Sequence, residues 1–245
     1  MVNKIKTFIK YLNKPIPLEE DFEDYDSYWK SRGFHAPSLK RAEIISKYIS
    51  PNKRILDVGC GDGTMIEILS DANAPKDILG IDISKFAVQH VKSKGYKAKV
   101  VDVLSDGFIK LLNLEKFDYI VITEVLEHIQ DPESVIENIK KYQPNATLFI
   151  SIPNSGFIMH RLRLLFGKFP LVMINNHVKE HIRFWTYLDF KYWTSFFSYK
   201  VKRSFVSSTS KVLSFDLGRL IPSLFAKQII YELVVKDVDT NKETS

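Results

Sequence analysis

Three side chains that could bind a metal ion or move a proton lie close together in the chain: Glu124, Glu127 and His128. If this stretch is helical, positions i, i+3 and i+4 share one face. Two carboxylates and one imidazole suit a divalent cation such as Mg, Mn, Fe or Zn. The imidazole could instead act as a general base. The sequence therefore predicts catalytic residues here and leaves both roles open.

A second chemical signal is the turn from Gly59 to Gly63, in which glycine occupies every other position. The apolar residues before it, Ile55 to Val58, indicate a short buried strand, and a helical pattern begins at Thr64. Glycine accepts positive φ and lets a ligand approach the backbone closely. A strand, a glycine-rich turn and a helix are typical of the nucleotide-binding turn of a doubly wound α/β sheet. The spacing matches neither G-x-G-x-x-G nor a P-loop.

Aspartates lie at or near the ends of three predicted strands. Asp57 lies in the first strand, Asp82 ends the strand that begins at Ile78, and Asp102 lies near the end of the strand Lys97 to Val103. An acidic residue about twenty positions after a glycine turn suits the two hydroxyl groups of a ribose. The three carboxylates are therefore predicted to face one ligand at the carboxyl edge of the sheet.

The rest of the pattern predicts how this edge is built. Further strands are expected over 117–123 and 146–154, and near 199–206 and 228–236. Helices are expected from Pro37 to Pro51 with Leu39, Ala42, Ile45 and Ile49 on the buried face, after Ser84, after Pro132 and from Tyr187 to Phe197. The predicted fold class is α/β, a Rossmann-like doubly wound seven-stranded, mostly parallel sheet with helices on both faces and a helical cover.

We expect residues 1–245 to form a single domain. Aromatic residues at helical spacing predict an N-terminal helical arm over 1–35, and 155–185 reads as an insertion after the fifth strand. Both lie outside the common sheet, so we predict that they cover the active site. The polar stretch 237–245 is expected to fray.

Asp57, Gly59, Gly61 and Gly63 together resemble motif I of the class I S-adenosylmethionine-dependent methyltransferases. The resemblance implies that Asp57 supports the amino group of the cofactor, Asp82 its ribose and Asp102 its adenine, with Val103 beside the ring. The cofactor-binding residues implied in this way are Asp57, Gly59, Cys60, Gly61, Gly63, Asp82, Ile83, Asp102, Val103 and Thr123.

The stretch Glu124 to Pro132 resembles the fourth motif of the branch that contains ubiquinone-biosynthesis O-methyltransferases. The pattern Glu-x-x-Glu-His, followed by Glu180-His181 and Trp185-Thr186, also resembles the small-RNA 2′-O-methyltransferases. That resemblance implies the metal ligands Glu124, Glu127, His128 and His181. His177 belongs to the same downstream histidine cluster.

Composition limits the alternatives. The single cysteine, Cys60, excludes an internal disulfide and a cysteine metal cluster. The chain has no apolar run of about 18 residues, so we expect no transmembrane segment and a cytoplasmic location. The net charge of +6, with much of the excess between His160 and Arg203, favours an anionic partner. Oligomeric state cannot be predicted from the sequence.

The expected function is O-methylation of a small-molecule or glycan-linked anionic acceptor, with a divalent metal and with Glu124, Glu127 and His128 as catalytic residues. The stretches 26–32 and 161–170 resemble bacterial methyltransferases of surface-glycan biosynthesis, which favours such an acceptor. An RNA 2′-O-methyltransferase, a metal-independent N-methyltransferase and a non-catalytic scaffold remain as alternatives. The complete glycine motif argues against the scaffold.

Overall fold

The computed structural model describes Lys6 and residues 23–34, 39–170, 181–209 and 217–236. Most of the predicted arm, His177 and the tail 237–245 lie outside these residues. Among the helices in the described ranges, none combines the length and apolar character needed to cross a bilayer.

The strands of the described chain form one seven-stranded sheet. They are β1 Arg54–Val58, β2 Asp77–Asp82, β3 Lys97–Val100, β4 Tyr119–Thr123, β5 Thr147–Pro153, β6 Tyr199–Thr209 and β7 Ala226–Val235. Their order is β3-β2-β1-β4-β5-β7-β6. The first five strands pair in parallel, whereas β7 runs antiparallel to both β5 and β6. This arrangement confirms the predicted doubly wound, mostly parallel sheet.

Helices cover both faces of the sheet. They are α1 Tyr25–Arg32, α2 Leu39–Ser46, α3 Thr64–Asn73, α4 Lys85–Ser93, α5 Asp106–Leu114, α6 Pro132–Tyr142, α7 Ile158–Leu165, α8 Tyr187–Phe196, α9 Leu217–Leu220 and α10 Pro222–Phe225. The predicted starts of α4, α6 and α8 are confirmed, since Ser84 and Thr186 each cap a helix with a side-chain oxygen and Pro132 begins α6. Asp131 caps α6 in addition, which was not predicted from the sequence.

Two apolar clusters, one on each face, hold the helices to the sheet. On β1, Ile55 packs into the cluster that includes residues of α2, α3 and α4, whereas Leu56 packs into the cluster of α5, α6 and α8. Successive strand residues point to opposite faces, so a strand buried on both sides must be apolar throughout. The run Ile55 to Val58 satisfies this, apart from Asp57.

Three local predictions about β3 and α2 differ from the structure. Helix α2 ends at Ser46 rather than at Pro51. Strand β3 ends at Val100 rather than Val103, because the chain turns where Asp102 Oδ1 accepts the Leu104 N–H at 2.9 Å. Leu39, predicted on the buried face of α2, is the first residue of that helix and is 50% exposed. The other members of the predicted face, Ala42, Ile45 and Ile49, are buried.

Candidate active site

The glycine turn between β1 and α3 is held by backbone hydrogen bonds to the next strand. The N–H groups of Gly59 and Cys60 donate to the Ile81 carbonyl at 2.8 and 3.0 Å. Gly59 and Gly61 have φ of 71° and 50°, and a Cβ on Gly59 would lie 2.4 Å from Val125 Cγ2. Both the backbone conformation and the close packing therefore require glycine.

The structure brings Asp57 and Asp82 to this turn, as the sequence predicts. Asp82 Oδ2 accepts the Gly61 N–H at 2.9 Å and its Oδ1 accepts the Ser84 N–H at 2.8 Å. Burial raises the pKa of Asp82, and these two hydrogen bonds partly offset the rise.

Asp57 lies in the interior, and its Oδ2 atom has no hydrogen-bond partner. Burial raises the pKa of this carboxyl well above its ordinary value, and the negative charges of Asp82 and Asp62 add to the rise. A positively charged donor beside Asp57 would satisfy the buried oxygen and reverse the pKa shift.

The other residues implied as cofactor contacts are less tightly grouped. Asp102 is exposed and caps its own turn, whereas Val103 packs against the core and Ile83 is 50% exposed. Thr123 ends β4 opposite Ser151. The Cys60 side chain points into the core beside Gly80, so only its backbone is available to a ligand.

The described part of the N-terminal arm packs on the glycine turn. A Cβ on Gly61 would lie 2.7 Å from Trp29 Cζ2, so the indole of α1 covers that glycine. Asp26 Oδ1 accepts hydrogen bonds from Ser84 Oγ at 2.5 Å and Phe86 N at 3.0 Å, directly after Asp82. Helix α1 therefore lies beside the residues implied in cofactor binding.

The segment after β4 is not the predicted α-helix. Glu124 has a φ of 55°, which turns the chain away from β4, and Leu126–His128 form a single 3₁₀ turn. Asp131 precedes Pro132, and a residue before proline is driven out of the helical conformation. The prediction that Glu124, Glu127 and His128 share one α-helical face is therefore wrong.

Glu127 and His128 nevertheless form a compact group with His181. One candidate ligand atom from each of the three residues lies within 4.8 Å of the others. The imidazoles of His128 and His181 lie edge to face, with ring centroids 4.7 Å apart. Glu124 is outside this group, and its Oε1 accepts a hydrogen bond from Ser151 Oγ at 2.9 Å.

Glu127 is the most unusual member of this group. It is 1% exposed, and neither carboxylate oxygen has a hydrogen-bond partner. Burial raises the pKa of Glu127 well above its ordinary value, the charge of Glu124 adds to this, and the charge of Arg41 opposes it. Isolated buried charges are strongly unfavourable, so this carboxyl requires a proton or a cation.

The last part of the insertion is hydrogen-bonded to the Glu127 turn, which places His181 there. The N–H groups of Ile182 and Arg183 both donate to the Glu127 carbonyl, at 2.8 and 3.1 Å. Arg183 also donates from Nη2 to the Gln130 carbonyl and lies 3.6 Å from Glu133 Oε2. The sequence pattern suggests His181 but contains no signal for these contacts.

Two arginines of the basic insertion donate to backbone carbonyls of that segment. Arg161 Nε donates to the Gly156 carbonyl at 2.7 Å, and Arg163 Nε donates to the Phe169 carbonyl at 2.8 Å. Arg41, which no sequence pattern singles out, is instead an electrostatic neighbour of Glu127. Its position on α2 was predicted only as part of an amphipathic helix.

Comparison with known proteins identifies the class. The profile of the methyltransferase-domain family matches residues 21–201, so the chain belongs to that family. It is a class I S-adenosylmethionine-dependent methyltransferase, as the motifs around Asp57 and the doubly wound sheet predict.

Among curated proteins, the chain is similar to the ubiquinone biosynthesis O-methyltransferase of Histophilus somni. The two are 28% identical over 194 residues, which cover 74% of this chain and 81% of that protein. A solved S-adenosylmethionine-dependent methyltransferase from Archaeoglobus fulgidus has a TM-score of 0.60 at 15% identity, over 86% of this chain and all of that one. The methyltransferase domain of bacterial CtHen1-C has a TM-score of 0.56 at 16% identity, over 82% of this chain and 99% of that one. These two likenesses establish the fold.

Proposed function

We propose that this enzyme methylates an oxygen of a small-molecule or glycan-precursor acceptor that carries an anionic group, with the help of a divalent cation. Glu127, His128 and His181 would hold the cation. The observation that carries the proposal is the buried Glu127 carboxyl, which has no hydrogen-bond partner and lies next to two imidazoles.

The donor set fits a divalent cation for a chemical reason. Carboxylate and neutral imidazole are ligands shared by Zn, Fe and Mn sites, and three protein ligands leave positions open for a substrate. Burial raises the pKa of Glu127 because it disfavours the ionised carboxylate, and a bound cation would stabilise that ionised form. Glu124 stays a predicted fourth ligand, although it lies outside the compact group and its Oε1 accepts a hydrogen bond from Ser151.

The residues around the glycine turn fit S-adenosylmethionine. Asp57 has a buried oxygen available to the cofactor's amino group, and Asp82 is held by Gly61 and Ser84 with its carboxylate at the end of β2. When bound, the cofactor supplies a methyl group that its sulfonium makes electrophilic. The remaining task of the protein is to align the acceptor oxygen and to remove its proton.

Two arrangements of the same residues would perform the proton removal. With a cation in place, His128 and His181 act as ligands, and the positive charge favours the deprotonated acceptor. Without one, His128 is the candidate general base and Glu127 stays protonated at its raised pKa. The buried, unpartnered Glu127 favours the first arrangement.

An RNA 2′-O-methyltransferase is the second candidate. Open positions on a cation held by Glu127, His128 and His181 would suit two adjacent hydroxyl groups, such as those of a terminal ribose, and the net charge of +6 would attract RNA. The sequence has no basic run of five or more residues, which favours the smaller acceptor. RNA binding that weakens steeply with salt would support this alternative.

The direct test is a turnover assay with S-adenosylmethionine and a panel of phosphorylated sugars, diols and capsule precursors, read by mass spectrometry. We expect an O-methylated product whose formation stops with EDTA and returns with Mn or Mg. Equal turnover by demonstrably metal-free enzyme would refute the cation and leave His128 as the base. Methylation of an amine in EDTA would support the alternative of a metal-independent N-methyltransferase.

A further inference from the structure

Arg41 is held at the same edge of the sheet as the candidate active site. Its Nη1 atom donates to Gln228 Oε1 at 2.9 Å, and Ser207 Oγ donates to the same oxygen at 2.9 Å. Gln228 pairs in register with Pro153, the last residue of β5. The guanidinium is therefore fixed where β5 ends, beside the strand end that leads to Glu124 and Glu127.

The guanidinium keeps unused hydrogen-bonding capacity in this position. Its Nε atom is buried and has no hydrogen-bond partner. No Asp or Glu within the described ranges forms an ion pair with it. Arg41 acts on Glu127 electrostatically, yet the Glu127 oxygens accept no hydrogen bond. Arg41 therefore influences Glu127 without donating a hydrogen bond to it.

Three arginines in the described part of the insertion do not offer the same combination. Arg161 and Arg163 are engaged by carbonyls of the insertion, and Arg183 is engaged by Gln130 and Glu133. Arg41 combines a fixed guanidinium, an unpartnered buried N–H and a place beside Glu127. A guanidinium matches a carboxylate or phosphate by donating two parallel hydrogen bonds.

We propose that Arg41 binds an oxyanion of the methyl acceptor, a carboxylate or a phosphate, and so selects anionic acceptors. The inference rests on the proposed function, because it takes the region around Glu127 as the acceptor site. In this inference a residue of α2, rather than the basic insertion, recognises the anion. An acceptor would then present its hydroxyl groups at Glu127, His128 and His181 and its oxyanion at Arg41.

The test uses three probes that share adjacent hydroxyl groups and differ in charge: glycerol 3-phosphate, glycerate and glycerol. Their binding to the full chain with S-adenosylhomocysteine is measured by calorimetry or ligand-observed NMR, once with Mn and once with EDTA. We expect one or both anions to bind more tightly than glycerol, and the phosphate and carboxylate arms show which oxyanion is preferred. Arg41→Gln should weaken the preferred anion by about ten- to a hundredfold and leave glycerol unchanged.

Three comparisons separate recognition from a structural role. Lys40→Gln removes an exposed charge from the same helix and should leave the preference for anions intact. Gln228→Ala removes the anchor but keeps the guanidinium, so it should weaken anion binding less than Arg41→Gln does. Arg41→Lys should retain part of the preference for anions, since lysine keeps the positive charge but cannot donate two parallel hydrogen bonds from a planar group. The ratio of anionic to neutral affinity is the deciding quantity, because a purely structural Arg41 would change both alike.

Two results would overturn the inference: wild-type protein that binds neither anion more tightly than glycerol, or Arg41→Gln protein with an unchanged ratio. Neither result affects the cation proposal, which depends on Mn binding at Glu127, His128 and His181. Conversely, failure to bind Mn would contradict the cation proposal, whereas the anion affinities measured in EDTA would still test the role of Arg41.

Discussion

At the scale of single residues, the site is defined by buried carboxyl groups at the carboxyl edge of the sheet. Asp57, Asp82 and Glu127 are 1%, 8% and 1% exposed. Burial raises the pKa of each, but only Asp82 has both oxygens hydrogen-bonded to backbone N–H groups. The cost of burying these groups is explained if Asp57 and Glu127 meet positively charged ligands.

Asp82→Ala should weaken binding of S-adenosylhomocysteine by about ten- to a hundredfold, because hydrogen bonds to a charged group contribute roughly 1.5–3 kcal/mol. Calorimetry measures the affinity. Asp77→Ala, at the opposite end of β2 in an ion pair with Lys97, is the matched control and should bind normally. Unchanged affinity in Asp82→Ala would contradict the assignment of this residue.

His160 should make the protein less stable in mild acid. Burial, together with Lys227 and Arg163, lowers the pKa of His160 from 6.5 to about 4. Between these pH values His160 is therefore protonated in the unfolded chain and neutral in the folded chain. The stabilisation is present above pH 6.5 and is lost as pH falls toward 4. Between pH 7.5 and 5 the loss should be about 2 kcal/mol.

Urea unfolding at these two pH values tests this expectation. His160→Gln removes the titrating group, so its unfolding free energy should fall by about 2 kcal/mol less than that of the wild type. The comparison uses the difference between the two pH values, so a general destabilisation by the substitution does not affect it. Equal pH dependence in the two proteins would show that His160 does not titrate as proposed.

At the scale of elements, the site is assembled by segments that lie outside the sheet. Helix α1 covers the glycine turn through Trp29, and the chain at 181–183 is joined to the Glu127 turn by backbone hydrogen bonds. Both segments therefore reach the site through contacts that strand pairing does not supply.

Trp29→Ala should weaken S-adenosylhomocysteine binding by about fivefold or more, which corresponds to ~1 kcal/mol. The reason is that the indole lies over Gly61 and closes that side of the turn. Calorimetry gives the affinity, and Tyr192→Ala, an exposed aromatic on α8, serves as the control. If affinity stays at the wild-type value while turnover falls, α1 covers the acceptor rather than the cofactor.

Arg183→Ala should weaken Mn binding by about ten- to a hundredfold, the usual effect of losing a group that orients a metal ligand. Arg183 holds the segment of His181 against Gln130 and Glu133 without being a ligand itself. Lys99→Ala, which removes an exposed ion pair with Glu115, should bind Mn normally. Wild-type Mn affinity in Arg183→Ala would mean that the backbone bonds to Glu127 alone fix His181.

Some of these elements can be predicted from local sequence patterns and others cannot. Helix starts at Ser84 and Thr186 follow from local capping chemistry, and the structure confirms them. The spacing of residues 124–128 predicts a helix, but the positive φ of Glu124 and the proline at 132 limit the segment to one 3₁₀ turn. Local patterns do not reveal such a turn, because it is stabilised by Leu126 packing into the core and by Ser151.

At the scale of the whole molecule, the doubly wound topology explains why residues far apart in sequence share one edge. Parallel strands place the carboxyl ends of β1, β2 and β4 side by side, so the strand pattern predicts that Asp57, Asp82 and Glu124 lie at this edge. The strand pattern does not predict the position of Arg41, because this residue lies on α2 and is held at the edge by a hydrogen bond to Gln228 on β7. Such long-range placement depends on tertiary packing and has no sequence period.

The most direct test of the central claim is calorimetric titration of Mn into the full chain with S-adenosylhomocysteine present, for wild type, Glu127→Gln and His181→Ala. We expect one site per chain in the wild type, with proton release on binding, because burial raises the pKa of Glu127 and a bound cation would lower it. Both variants should lose the site while keeping the affinity for S-adenosylhomocysteine. A wild-type chain that binds no Mn, or variants that bind it equally well, would contradict the account.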